Sequence, residues 1–148
     1  MATQLPHYGP LPQPASLEEA VEVLGREKFP APDVCLVEFT ATEFTSLCPR
    51  TGQPDFGKVI IQYLPREYCI ESKSLKFYLW AFRNEGAFCE TLTSKIADDV
   101  VSAIDPLWTR VTVTQNTRGG IALKSSAVRA APGYSNMNCP GVFTDASQ

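Results

Sequence analysis

Residues 34–64 divide into VCLVEFTATEF (34–44), TSLCPRTGQPDF (45–56) and GKVIIQYL (57–64), and that division decides the fold. Val34–Phe44 and Lys58–Leu64 are dense in β-branched and aromatic residues, the composition of strands. Pro65 ends the second strand. Antiparallel pairing of the two needs a turn of two to five residues. The twelve residues from Thr45 to Phe56 make a connection long enough to expect a functional role. It carries Cys48 and Asp55, a thiol and a carboxylate on one loop.

Downstream of this hairpin the period changes. Leu75, Tyr78, Leu79 and Phe82 recur at helical spacing, and Phe77, Trp80 and Ala81 make the other side apolar, so this helix is expected to be buried on more than one side. A second helix runs from Phe88 to Ile104 with Leu92, Ile96, Val100 and Ile104 inward and Lys95, Asp98 and Asp99 wet. Pro106 disfavours helical geometry at Asp105 and ends it. Leu107–Asn116 alternates as a strand with one polar face, NTRGG turns the chain, and Ile121–Val128 returns. The order is β-β-α-α-β-β, an α+β fold with a four-stranded antiparallel sheet and both helices on one face. Its sheet edges call for covering by oligomerisation.

Residues 1–32 read as a Pro-rich arm bearing one short helix, capped by Ser16 and stopped by Gly25. Residues 33–129 read as the main folded domain, where any catalytic residues are expected, and 130–148 as a Gly/Pro/Ser/Asn-rich tail. The chain has 148 residues and a net charge of −3. A duplex nucleic-acid binder is normally basic, so none is expected. No apolar run is long enough to span a membrane, the N-terminus does not read as a signal peptide, and the expected location is cytoplasmic. The five cysteines are odd in number and form no CxxC pair, so neither a disulfide framework nor a zinc site is expected. Cys35 and Cys69 read as buried fillers and Cys139 as chemically idle. The single histidine, His7, sits in the arm, which leaves no His-based triad or metal site.

Three segments carry the chemistry: the Cys48–Asp55 loop, ESKSLKFY at Glu71–Tyr78, and NEGAFCE at Asn84–Glu90. Taken alone, Cys48 could be a filler, Asp55 a turn cap, Glu90 a helix-start carboxylate, Phe88 a core aromatic, and the lysines a solvated helix face. Together, ESKSLKFY, the Cys-x6-Asp loop and the Phe-x-Glu that follows resemble the NADPH-dependent nitrile reductases of queuosine biosynthesis (7-cyano-7-deazaguanine reductases of single-domain type). The similarity spans roughly residues 34–126. It implies the tunnelling fold, which has the same element order, and a ring-based homo-oligomer, a dimer of pentamers. The implied small-molecule substrate is 7-cyano-7-deazaguanine and the cofactor NADPH, with no metal and no direct contact to nucleic acid or membrane.

The resemblance assigns Cys48 as nucleophile and Asp55 as acid/base. A thiolate adding to the nitrile carbon gives a thioimide, a C=N unit that accepts hydride more readily than the nitrile. Asp55 would move the proton from the thiol to the nitrile nitrogen. A second hydride on the resulting imine gives the amine, so two NADPH are used. Glu90 matches the carboxylate that grips a purine-like N–H edge. Phe88 is a candidate to stack on the ring, and Ile70, Glu71, Ser72 and Cys89 fall in the substrate pocket. Lys73 and Lys76 are candidates for the NADPH phosphates, with Arg83 and Arg118 behind them; there is no G-x-G-x-x-G. The family usually has histidine where this chain has Cys89, so Asp55 alone is expected to do the essential proton work. Cys48 and Cys89 in one pocket could also form a reversible disulfide. The alternatives are a tunnelling-fold amidinotransferase that uses the thioimide without NADPH, and a non-catalytic assembly protein.

Overall fold

The computed structural model describes residues 12–135. His7, Cys139, the first prolines of the arm and most of the tail lie outside them. Leu17–Arg26 forms helix α1, and two-residue strand β1 follows at Phe29–Pro30. Long strands β2 (Val37–Leu47) and β3 (Pro54–Leu64) come next, then short β4 (Tyr68–Cys69). Helix α2 (Ser72–Trp80) runs into a 3-10 turn at Ala81–Asn84, and α3 (Cys89–Ile104) leads to β5 (Trp108–Arg118) and β6 (Ile121–Ala130). The main sheet has the order β2-β3-β5-β6, antiparallel throughout, while β1 pairs with β4.

The first hairpin is tighter than its sequence suggests. Ser46 pairs with Asp55 and Leu47 with Pro54, so the connection shrinks to the six residues Cys48–Gln53. Cys48 N–H donates to the Gln53 carbonyl at 2.8 Å, and Gly52 N–H to the Cys48 carbonyl at 2.9 Å. Gly52 has φ 68°, the left-handed conformation that a side chain disfavours. Asp55 therefore belongs to a strand and not to a loop.

The strand-helix parity settles the core. Phe44, Val59, Ile61, Tyr63, Val111 and Val113 face the helices and are buried. From the helical layer come Leu75, Phe77, Tyr78 and Phe82, with Leu92, Ile96 and Val100 of α3. The rings of Tyr78 and Phe82 meet edge to face at 5.2 Å between centroids. Helix α1 packs into the same layer through the fully buried Ala20, Val23 and Leu24. Ser16 caps it as expected, its hydroxyl accepting from Glu19 N–H at 3.1 Å. Gly25 does not stop it: the helix continues to Arg26, and a side chain at Gly25 would sit 3.6 Å from the Ala103 backbone of α3.

Three further expectations change. Asp99 is buried, because Tyr78 Oη donates to it at 2.6 Å and Lys95 Nζ at 3.2 Å. Cys35 is exposed and precedes β2, whereas Cys69 is buried as expected. The second hairpin turns at Gly119–Gly120 alone, since β5 runs on to Arg118 through a bulge. The sheet face away from the helices is bound laterally. Arg110 Nε donates to Gln62 Oε1 at 2.9 Å, and Gln62 Nε2 to Glu38 Oε1 at 2.8 Å, across three strands in register. Among the described residues no helix is long and apolar enough to cross a membrane.

Candidate active site

The end of the sheet where β2 turns into β3 collects most of the candidate residues. Leu47 N–H donates to the Glu85 carbonyl at 2.9 Å, and Ala87 N–H to the Leu47 carbonyl at 3.2 Å. These bonds tie the segment before α3 to the residue before Cys48. They bring Phe88, Cys89 and Glu90 alongside the Cys48 turn. Arg50 of that turn lies over the Phe88 ring, 5.9 Å from its centroid. Phe88 is 51 % exposed, and Glu90 is exposed in the first turn of α3, so an aromatic face and a carboxylate both stand open to a ligand.

Cys48 is half-buried. The Thr51 hydroxyl and the backbone N–H groups of Arg50 and Thr51 hydrogen-bond its sulfur and lower its pKa below that of an ordinary thiol. Burial and the negative charge of Asp55 oppose them without reversing the direction. Thr51→Val removes the largest lowering contribution. It should move the pH midpoint of Cys48 alkylation by iodoacetamide upward; an unmoved midpoint would show that the hydroxyl does not hold the thiolate.

Asp55 is 6 % exposed on the helix side of β3. Arg118 Nη1 forms an ion pair with its Oδ1, and Gln115 Nε2 donates to its Oδ2 at 3.4 Å. Gln115 had no signal in the sequence, and Arg118 stood there only as a cofactor candidate. Both meet Asp55 across roughly sixty residues of chain, a separation no local pattern reports.

Cys89 points inward. Its Sγ lies 3.6 Å from the Val113 carbonyl and 3.6 Å from Ser125 Oγ. Burial raises its pKa, against hydrogen bonds from Ser125 and Thr93, which leaves a neutral thiol at neutral pH. Cys48 and Cys89 are both free thiols, and Cys89 is 1 % exposed, its Sγ turned toward β5 and β6.

Ile70, Glu71 and Ser72 lie elsewhere. Ile70 is buried, and its N–H donates to Tyr63 Oη at 2.9 Å. Tyr63 stands eight residues beyond Asp55 on β3, about 26 Å at 3.3 Å per residue. Glu71 caps α2, its oxygens accepting from Lys73 N–H at 2.8 Å and Ser74 N–H at 2.7 Å. Ser72, Lys73 and Lys76 are exposed on the same helix. Within one chain, the two groups of candidates occupy opposite ends of the sheet. A cleft of about 700 Å³ opens beside the Cys48 turn, lined by Leu47, Pro54, Phe56, Gly57, Arg83 and Asn84 among others.

Fold and site together define a small α+β domain that presents a reactive-type thiol beside a buried carboxylate at one end of its sheet. Comparison with known proteins narrows this. The chain belongs to the QueF-like protein family, whose pattern matches residues 54–133. It is 49 % identical over 114 residues to the NADPH-dependent 7-cyano-7-deazaguanine reductase of Granulibacter bethesdensis, covering 75 % of this chain and 72 % of that protein. The protein of the same name from Syntrophus aciditrophicus is 48 % identical over 100 residues, 68 % of this chain and 71 % of its own. Among solved structures, the apo form of the archaeosine synthase QueF-Like superposes with a TM-score of 0.64 at 22 % identity. That match covers 68 % of this chain and 98 % of the other and concerns the fold alone. The tunnelling fold and the α+β class expected from the sequence both hold.

Proposed function

We propose that this protein reduces the nitrile of 7-cyano-7-deazaguanine to the aminomethyl group, with NADPH as reductant, in the pathway to queuosine. The observation that carries the reading is near-half identity, over most of both chains, to relatives named for that reaction. The juxtaposition of Cys48, Asp55, Phe88 and Glu90 at one sheet end supports it. In this reading Cys48 Sγ adds to the nitrile carbon, and Asp55 passes the thiol proton to the nitrile nitrogen. Glu90 accepts the N–H edge of the base, and Phe88 lies against its ring. Glu90→Gln keeps one acceptor and loses the charge, so nitrile affinity should fall about tenfold to a hundredfold. Calorimetric titration checks this, and an unchanged Kd would remove Glu90 from the site.

NADPH supplies the hydride equivalents when bound. Lys73 and Lys76, one helical turn apart and exposed on α2, fit its phosphates as point charges. Because Glu71 already occupies the first N–H groups of α2, the lysine side chains and not the helix N-terminus would hold them. Ile70, Glu71 and Ser72 can join Cys48 and Asp55 only if a second protomer brings its α2 end to the first protomer's Cys48 turn. The sheet edges β2 and β6 and the exposed Phe56, Ile121 and Val128 offer surfaces for such an assembly. A dimer of pentamers remains the expected form, in the cytoplasm. The decisive experiment mixes protein and nitrile and reads intact mass, then adds NADPH and follows its absorbance. An adduct of the full substrate mass followed by NADPH oxidation supports the reading. An adduct without oxidation points to amidine chemistry instead, and no adduct to a non-catalytic role.

A further inference from the structure

We propose that Arg118 and Gln115 are positioning residues for Asp55, and that the β5 bulge exists to aim Arg118 at it. This rests on the nitrile-reduction reading above. Three side chains close a ring. Arg118 Nη1 pairs with Asp55 Oδ1, Arg118 Nη2 donates to Gln115 Oε1 at 2.8 Å, and Gln115 Nε2 donates to Asp55 Oδ2 at 3.4 Å. Gln115 is itself 6 % exposed and pairs with Gly57, two positions from Asp55 on β3.

Strand parity shows that this contact is built. Residues 115 and 118 are an odd number of positions apart, so regular alternation would send them to opposite faces of the sheet. The β5–β6 register shifts between Gln115 and Arg118. Two residues, Asn116 and Thr117, lie between those paired positions on β5, against one, Ala122, on β6. That extra residue returns Arg118 to the helix face, where Asp55 lies, and re-aiming a side chain beside a site is what bulges do. Gly119 and Gly120, at φ 58° and 77°, then turn the chain immediately.

The two Asp55 oxygens are held unequally. Oδ1 has the charged contact to the guanidinium, and Oδ2 only a long amide hydrogen bond. Oδ2 is therefore the oxygen that exchanges the proton. In the addition step the Cys48 S–H bond breaks, the Sγ–C bond forms, and one C≡N π bond gives way. The proton leaves sulfur, crosses Asp55 Oδ2 and ends on the former nitrile nitrogen, with no net oxidation or reduction. Arg118 fixes the carboxylate plane so that Oδ2 faces both partners.

The test reads thioimide formation without NADPH, which a pure cofactor contact would not alter. Quenched-flow intact mass on the assembled protein compares wild type, Arg118→Lys and Arg118→Ala at saturating nitrile. Arg118→Ala should form adduct about a hundredfold more slowly, with nitrile Kd within about twofold because Arg118 makes no proposed contact with the nitrile. Arg118→Lys should fall between, and added guanidinium should restore at least about tenfold of the Ala rate, a rescue that an unfolded variant cannot give. Wild-type rates in Arg118→Ala, or no guanidinium rescue, overturn the inference. Absence of adduct in wild type overturns the nitrile reading and this inference with it.

Discussion

Replacing Cys48 by alanine is expected to abolish the covalent adduct and to lower nitrile turnover by at least about a thousandfold. The expectation follows from what the turn does for the sulfur. A nitrile carbon is a weak electrophile, and a thiolate that adds to it opens an easier path for hydride. The thiol sits on a six-residue turn, where the Thr51 hydroxyl and two backbone N–H groups favour its ionised form. Alanine leaves that turn intact, because the bonds closing it come from the backbone of Cys48, Gly52 and Gln53. Loss of activity with an unchanged melting temperature would thus report chemistry and not folding. Retention of more than about a tenth of the wild-type rate would mean hydride reaches the nitrile directly and the thiol is a bystander.

What the sequence disclosed follows the range of the forces involved. Helices α2 and α3 were legible because their apolar positions repeat within one or two turns. The end of α3 was legible because Pro106 acts on its neighbour: Asp105 takes a left-handed φ of 45°. Pro54, Gly52 and Gly57 look like turn residues, which predicts a loop position for Asp55. In fact Pro54 opens β3 opposite Leu47, at a strand end where a missing N–H is tolerated. The helical pattern predicts a wet Asp99, because its partner, Tyr78, lies 21 residues away on another helix. The same holds more strongly for the site. Cys48 and Glu90 carried a family motif and could be named, but Arg118 meets Asp55 only through a bulge, the β5–β6 turn and the β3–β5 register. Glu71 carried the motif too, and the local fact that it caps α2 was masked by that.

Gly57 looks like a turn residue in the sequence but lies inside β3, where a glycine marks a close backbone approach, and it gives the second large expected effect. A Cβ at Gly57 would land on the carbonyl oxygen of Thr114 and within 3.2 Å of Gln115 Cα. Both belong to the backbone of β5, which cannot rotate aside as a side chain would. Gly57→Ala must therefore push β3 from β5, at a cost of about 3 kcal/mol, which lowers Tm by roughly 10 °C in a chain this size. The displacement falls between Asp55 and Gln115, so adduct formation should slow even at temperatures where the variant stays folded. Gly86→Ala is the matched control: its added carbon meets only Pro49 Cα, at 3.6 Å, an ordinary contact. Thermal unfolding of the two variants side by side decides the matter. If both melt within about 2 °C of wild type, β3 and β5 are not pressed together at this point, and the close approach that seats Gln115 against Asp55 does not exist.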